Sequence, residues 1–349
     1  MSLSKIATLR LSNQKLAGST FKSPAEVVKW MGAIQAQDYA GAKWAVGQRM
    51  QNALNTEIDK ALEKGSIIRT HVLRPTWHFV APEDVRWMIQ LSAHRIKKSA
   101  ASLLRLLELN DSIFNHCNDV LAKELSGGKK LARPQVVSVL NKAGIVTNEQ
   151  RLVHILMRAE LDLVICSGGR QGKQFTYSLF DERVPATKPL TNEEALAKLT
   201  LRYFTSHGPA TVQDFGWWSG LTLVDIKKGL EQVKNKLNQE IIDGNTYWMP
   251  KNKTIIKNKL NDVYLLPAFD EYTVSYKDRS AALDPVHIPH TSHGLKPTII
   301  IDGRIVGTWK PVLKKNTVLI ETNPLIPLTK VHHKAIFAAE ERYREFLAK

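Results

Sequence analysis

TNEEALAKLTLRYFTSHGPATVQDFGWWSGLTLVDIKKGLEQVKNKLNQEIIDGNTYWM, residues 191–249, reads as three helices and a hairpin. A T-x-x-E box at Thr191 and Glu194 opens the first helix. The runs TVQDFGWWSG and TLVDIKKGLEQVK supply two more, and Asp243–Gly244 is a two-residue hairpin turn between strand-like runs. Helices followed by a β-hairpin describe a winged helix, a variant of the helix-turn-helix.

The same order recurs upstream. In SPAEVVKWMGAI, residues 23–34, Ser23 caps, Pro24 takes the first helical position and Glu26 completes a capping box, with Val27, Met31 and Ile34 as one apolar face. Helices near residues 42–50 and 56–64 follow, then SIIRTHVLRPTWHFV as a hairpin turning around Arg74 and Pro75. A second copy has RPQVVSVLNKA, then TNEQRLVHILMRAE with Thr147 and Gln150 as a box, then LDLVICSGGRQGKQFTYSL as strand, glycine-rich turn and strand. Residues 83–126 are a helical connector. Beyond residue 255 the chain is strand-rich, with DVYLLPAFDEYTVSYKD, TIIIDGRIVGTWK and NTVLIETN, and ends in a helix near residues 330–348. The expectation is an α+β chain: winged helices at 1–82, 127–186 and 187–254, the connector at 83–126, and a small antiparallel β-barrel with a C-terminal helix at 255–349.

Charge narrows the function. The 349 residues carry 49 Lys and Arg against 33 Asp and Glu, a net +16, which favours polyanions, nucleic acid first and an anionic membrane surface second. No apolar run reaches the ~18 residues of a membrane span, and two unpaired-looking cysteines, Cys117 and Cys166, indicate a reduced, cytoplasmic setting. Phosphate contacts are expected from Lys43, Arg69, Arg74 and Arg279, from Arg151 and Arg158, which share a helix side with His154, and from Arg170 and Lys173 at the wing tip SGGRQGKQ. A solvated charged face accounts for the second helix equally well, and Trp217 and Trp218 read as core before they read as base-stacking groups.

Catalytic motifs of the familiar kinds are missing: there is no P-loop, dinucleotide fingerprint, HExxH or CxxC. His287, His290 and His293 in HIPHTSHG have metal-like spacing but no cysteine or clear fourth ligand, so no metal and no cofactor are expected. Asp270, Glu271, Asp278 and Arg279 read as a strand-end ion network ahead of an acid/base set. Gln35 and Gln37 in IQAQDY sit two apart; in an extended segment they share one face, with Asp38 on the other. Thr76 and His78 share a strand face opposite Trp77 and Phe79.

These segments together resemble the AlkZ-like family of winged-helix DNA glycosylases. The likeness rests on GAIQAQDYAGAKWAVGQR (32–49), IIRTHVLRPTWHFV (67–80, with Pro75 where the family has glycine), RYFTSHGPATVQDFGWWSGL (202–221), LLPAFDEYTVSYKDRS (265–280) and IDGRIVGTWK (301–310). It runs from about residue 9 to 309 in the family's order and lapses at 281–295, the histidine loop. The resemblance implies three tandem winged helices and a barrel around a curved DNA-binding channel. It implies monofunctional excision of alkylated bases from DNA; the expected partner is double-stranded DNA, with a monomer and no obligate protein partner expected. The resemblance places Gln35 and Gln37 at the catalytic centre; a sister branch acting on crosslinked or otherwise modified bases has aspartate at the second position, and Gln37 sides this chain with the first branch. Thr76 and His78 become neighbours of the lesion. The competing expectation is a non-catalytic winged-helix DNA-binding protein or regulator, which shares the charge and fold but has no need of the glutamines.

Overall fold

The computed structural model describes residues 2–251, 262–293, 295–314 and 317–348. The chain forms two compact units, Met1–Ile58 with Leu196–Lys349, and Asp59–Ala195. The division after Ile58 falls inside the first predicted repeat, 1–82, and the predicted junction at residues 254 and 255 lies outside the described residues.

In the unit Asp59–Ala195, strands Ile68–Val72 and Arg74–Val80 pair antiparallel, Thr70 opposite His78, through a turn in which Leu73 has φ 63°. Helices Pro82–Leu106 and Asp111–Leu125 follow, over the residues where a helical connector was expected. Helices Arg133–Lys142 and Glu149–Leu161 then precede the hairpin Ile165–Gln171 and Gln174–Leu179. Leu121, Leu125, Val136, Leu140, Ile155 and Ile165 form one fully buried core beneath these elements. The helix Glu149–Leu161 is capped by Asn148, whose side chain accepts from the Arg151 N–H at 2.8 Å. The expected cap, Thr147, instead donates its hydroxyl to Asn141 Oδ1 at 2.6 Å. Asparagine is the stronger cap, and the two candidates are adjacent in sequence.

In the other unit, helix Pro24–Met31 carries the full capping box of Ser23 and Glu26. It stops at Gly32, φ 84°, so Ile34 is buried from a strand, Ala33–Gln35, and not from a helix face. Helix Tyr39–Gly47 follows. It is fixed by the Trp44 indole N–H donating to Leu265 O at 2.7 Å and by Phe346 packed 4.9 Å from the Trp44 ring. The Thr191–Glu194 box, at the end of the unit Asp59–Ala195, forms as read, each backbone N–H meeting the other's side chain. Helices Val212–Ser219 and Leu223–Val233 and the hairpin Leu237–Ile242 with Asn245–Pro250 complete that segment. Its turn has Asp243 at φ 48° and Gly244 at φ 75°, the left-handed pair such a hairpin needs.

The C-terminal strands form a curled four-stranded antiparallel half-barrel, ordered Thr317–Pro324, Arg304–Lys314, Thr298–Ile301, Val263–Leu266. Among the described residues its two end strands each pair with one neighbour, so the sheet stays open where a barrel was expected. Of the run read as strand-rich at residues 262–278, only Val263–Leu266 is strand. It ends at Leu266, and Asp270 caps a short helix, Glu271–Val274, by accepting from the Tyr272 N–H. Helix Lys330–Leu347 lies against the Val263–Leu266 strand. No helix among the described residues is long and apolar enough to cross a membrane.

Candidate active site

The segment 33–38 is buried at its start and exposed at its end, with one inversion at residues 35 and 36. Ala33, Ile34 and Ala36 are buried, Gln35 is half-buried and Gln37 is exposed. Gln35 ends the strand, Gln37 stands in the bend beyond it, and Ala36 between them turns into the core. Asp38 caps the helix Tyr39–Gly47, its Oδ1 accepting from Gly41 N at 3.2 Å. The one carboxylate adjoining the glutamines in sequence is thereby tied to a helix start.

Of two consecutive acidic residues far along the chain, one holds this segment and the other holds Arg49. Glu271, fully buried, accepts the Gln35 backbone N–H on Oε1 at 2.7 Å. Its Oε2 accepts the Trp218 indole N–H at 2.9 Å and the Ser275 hydroxyl, and the His207 Nε2 stands 3.7 Å away. Burial alone would raise the Glu271 pKa, but His207 and these donors outweigh it and hold the carboxyl at about 2. Burial lowers the His207 pKa against the pull of Glu271, which keeps the imidazole neutral near pH 7. Asp270 meets Arg49 in a two-pronged ion pair at 2.8 and 2.9 Å, both side chains fully buried. Arg49 also donates to Gln14 O, Ala45 O and Gln14 Oε1, so every edge of the guanidinium is engaged. The acidic pair read as an ion network is therefore split: Asp270 is an ion pair, and Glu271 is the anchor of the glutamine strand.

The predicted phosphate-binding residues are mostly engaged within the protein. Lys43 is buried, its ammonium 5.1 Å from the Tyr39 ring centre. Arg279 is half-buried, donates to Thr273 O at 2.7 Å and lies 5.7 Å from the Trp217 ring centre. Trp218 is core, as read, while Trp217 is 48% exposed and donates to Val274 O.

In the unit Asp59–Ala195, Arg69 is sandwiched between the rings of Trp77 and Phe175 at 4.1 and 4.4 Å. Arg151 donates to the carbonyls of Val146 and Leu107, closing two loops. Arg158 pairs with Asp162 at 2.8 Å and Asp111 at 3.0 Å, and burial lowers the pKa of the neighbouring His154. Arg170 donates to Lys173 O at 3.1 Å and lies 3.9 Å from Asp59, and Lys173 is exposed at the tip. Arg74 and Thr76 are half-buried; His78 is fully buried with Nδ1 2.8 Å from Thr76 O.

Sequence reading did not single out Asp214, a buried carboxylate that completes the capping box of Thr211 and accepts the N–H groups of Lys277 and Asp278 at 2.9 and 3.2 Å. Its signal was present as T-x-x-D at residues 211–214. No group of three His, Cys, Asp or Glu side chains suited to a metal occurs among the described residues, the histidines 287, 290 and 293 included.

Comparison with known proteins agrees with this architecture. The interstrand DNA cross-link repair glycosylase of Streptomyces sahachiroi is 23% identical over 324 residues, which cover 87% of this chain and 86% of that protein. The solved structure of the Streptomyces sahachiroi DNA glycosylase AlkZ superposes with a TM-score of 0.82 at 20% identity, covering 99% of this chain and 96% of that one, so the fold is the same. The profile of the family described as DNA glycosylase AlkZ-like matches residues 28–346. The chain belongs to the AlkZ-like DNA glycosylase family.

Proposed function

We propose that this glycosylase hydrolyses the N-glycosidic bond of cationic, N3- or N7-alkylated purines in double-stranded DNA, with Gln35 and Gln37 placing the attacking water. The winged-helix units at 1–82, 127–186 and 187–254, with the connector and the half-barrel, are its DNA-binding framework in this reading, and exposed Lys173 is a backbone contact.

The chemistry follows from the residue type. An amide does not titrate near neutrality and is no general base. Its carbonyl oxygen accepts a hydrogen bond from water and directs that water at C1′, and its partial negative charge favours the oxocarbenium ion that forms there. The C1′–N bond breaks with its electron pair going to the base. A purine that begins as a cation leaves neutral, so little activation is needed. The water oxygen bonds to C1′ and its proton passes to solvent. Selectivity comes from the lability of the bond more than from a tight pocket for the flipped base.

The observation that carries this reading is the alternation at residues 35–37, half-buried, buried, exposed, with its backbone fixed by a buried carboxylate while Asp38 is occupied as a cap. The test is release of free base from duplex DNA bearing N7- or N3-methylpurines. The Gln35→Ala, Gln37→Ala double variant retains DNA binding and loses release by roughly a hundredfold or more, the scale of losing preorganised polar groups. Release by that variant at the wild-type rate would remove the glutamines from the chemistry. A duplex with an interstrand crosslink, the substrate named for the Streptomyces relative, tests whether bulkier adducts are also excised. Affinity for DNA falls steeply with added salt if phosphates dominate, and a flat response argues against this binding mode.

A further inference from the structure

Glu271 is an anion where a neutral residue would be cheaper. Burying a carboxylate carries a large desolvation cost, and Glu271 is fully buried. The groups that hydrogen-bond it are neutral: the Gln35 peptide N–H, the Trp218 indole N–H and the Ser275 hydroxyl. Its preceding neighbour, Asp270, has a guanidinium clamped across both oxygens. Glu271 faces only the edge of an imidazole, His207, fully buried, at 3.7 Å. Its charge is thus held in a dry environment one hydrogen bond from the backbone of Gln35, and a charge in such a place acts further than one in water.

We propose that Glu271 is the positioning residue of the Gln35/Gln37 pair. It fixes the Gln35 backbone through the peptide N–H, which sets the direction of the carboxamide. Its negative charge stands behind the strand and stabilises the positive charge that grows on the deoxyribose as the base leaves. The inference rests on the reading of Gln35 and Gln37 as the water-placing groups. A glutamine there keeps one oxygen for the Gln35 N–H but turns an NH2 group toward the Trp218 indole N–H, so the anion both completes the tether and leaves a charge behind the strand.

The test uses the full-length chain with Glu271→Gln, duplex DNA containing N7-methylguanine, and two abasic-site mimics. One is a cationic 1-azaribose and the other an uncharged tetrahydrofuran. Single-turnover excision slows about tenfold or more, while affinity for the tetrahydrofuran duplex stays within roughly twofold. The preference of the wild type for the cationic over the neutral mimic shrinks by a similar factor. A purely structural role would weaken both mimics together and leave their ratio unchanged, and that result, or an unaltered excision rate, overturns the proposal. Should Glu271→Gln fail to fold, Glu271→Asp decides: it keeps an anion but draws it back from the Gln35 N–H and from the strand. Excision about threefold slower at equal affinity supports the assignment, and an unchanged rate overturns it. The two readings separate cleanly. A fast Gln35→Ala, Gln37→Ala variant sinks the role of the glutamines, whereas a slow one beside a fast Glu271→Gln sinks the role of Glu271 alone.

Discussion

Replacing Asp270 by Asn isolates what holds the 270–271 turn. Asp270 and Arg49 are fully buried and joined by two hydrogen bonds, and Asp270 also caps the Glu271–Val274 helix. The variant keeps the shape but leaves Arg49 charged without its counter-ion, and turns an NH2 group toward guanidinium N–H. Removing one partner of a buried pair costs about 3–5 kcal/mol. With a urea m-value of about 3 kcal/mol/M, the midpoint for the unit containing both residues falls by roughly 1.3 M. The assay is urea unfolding at pH 7 followed by tryptophan fluorescence. A companion double variant, Arg49→Met with Asp270→Leu, removes both charges and loses less than the single variant, because no buried ion is stranded. A single-variant midpoint within about 0.3 M of wild type, or a double variant worse than the single, would refute the account of this pair.

Three further outcomes follow from the same coordinates. The Cys117 and Cys166 thiols, both buried and pushed up to about 11 and about 12 by desolvation, stay unmodified by a thiol reagent in the native protein and react on unfolding; labelling of the folded chain counts against this. Gly303→Ala loses about 2 kcal/mol, because φ is 82° and the new methyl would stand 2.7 Å from the Ala7 Cβ, and a thermal melt reads it directly. Glu271, held at about 2 against a usual 4.5, contributes stability that is full above pH 4.5 and is lost as pH falls through 2. That contribution is about 3 kcal/mol, and some 2 kcal/mol of it is gone by pH 3. The stability gap between wild type and Glu271→Gln therefore narrows on acidification, and a constant gap would contradict the depressed pKa.

Local features were legible because their causes are local. The boxes at Ser23–Glu26 and Thr191–Glu194 and the Asp243–Gly244 turn each need only residues within four positions, and all three form. The misreadings have equally local reasons. Asn148 and Thr147 offered caps one residue apart, Gly32 cut a helix short of Ile34, and Asp270 began a helix inside a run of strand-forming residues. The basic residues were counted as a field for phosphate, yet Arg151 meets carbonyls at Val146 and Leu107 and Arg158 meets carboxylates, partners that no charge count reveals. At the glutamines, sequence supplied the residue type and the two-residue spacing. It could not supply the tether, because Gln35 and Glu271 are 236 positions apart.

That separation has a consequence for how the protein is made. Translation at about 5–20 residues per second delivers Glu271 roughly 10–50 s after Gln35, while the contiguous unit Asp59–Ala195 can fold in the interval. The first 58 residues meet the rest of their own unit, residues 196–349, only after that contiguous unit has been made. A nascent or prematurely terminated chain that stops short of Glu271 therefore lacks the buried carboxylate that receives the Gln35 N–H, and the strand proposed to place water gains that fixture only after roughly three-quarters of the polypeptide is made.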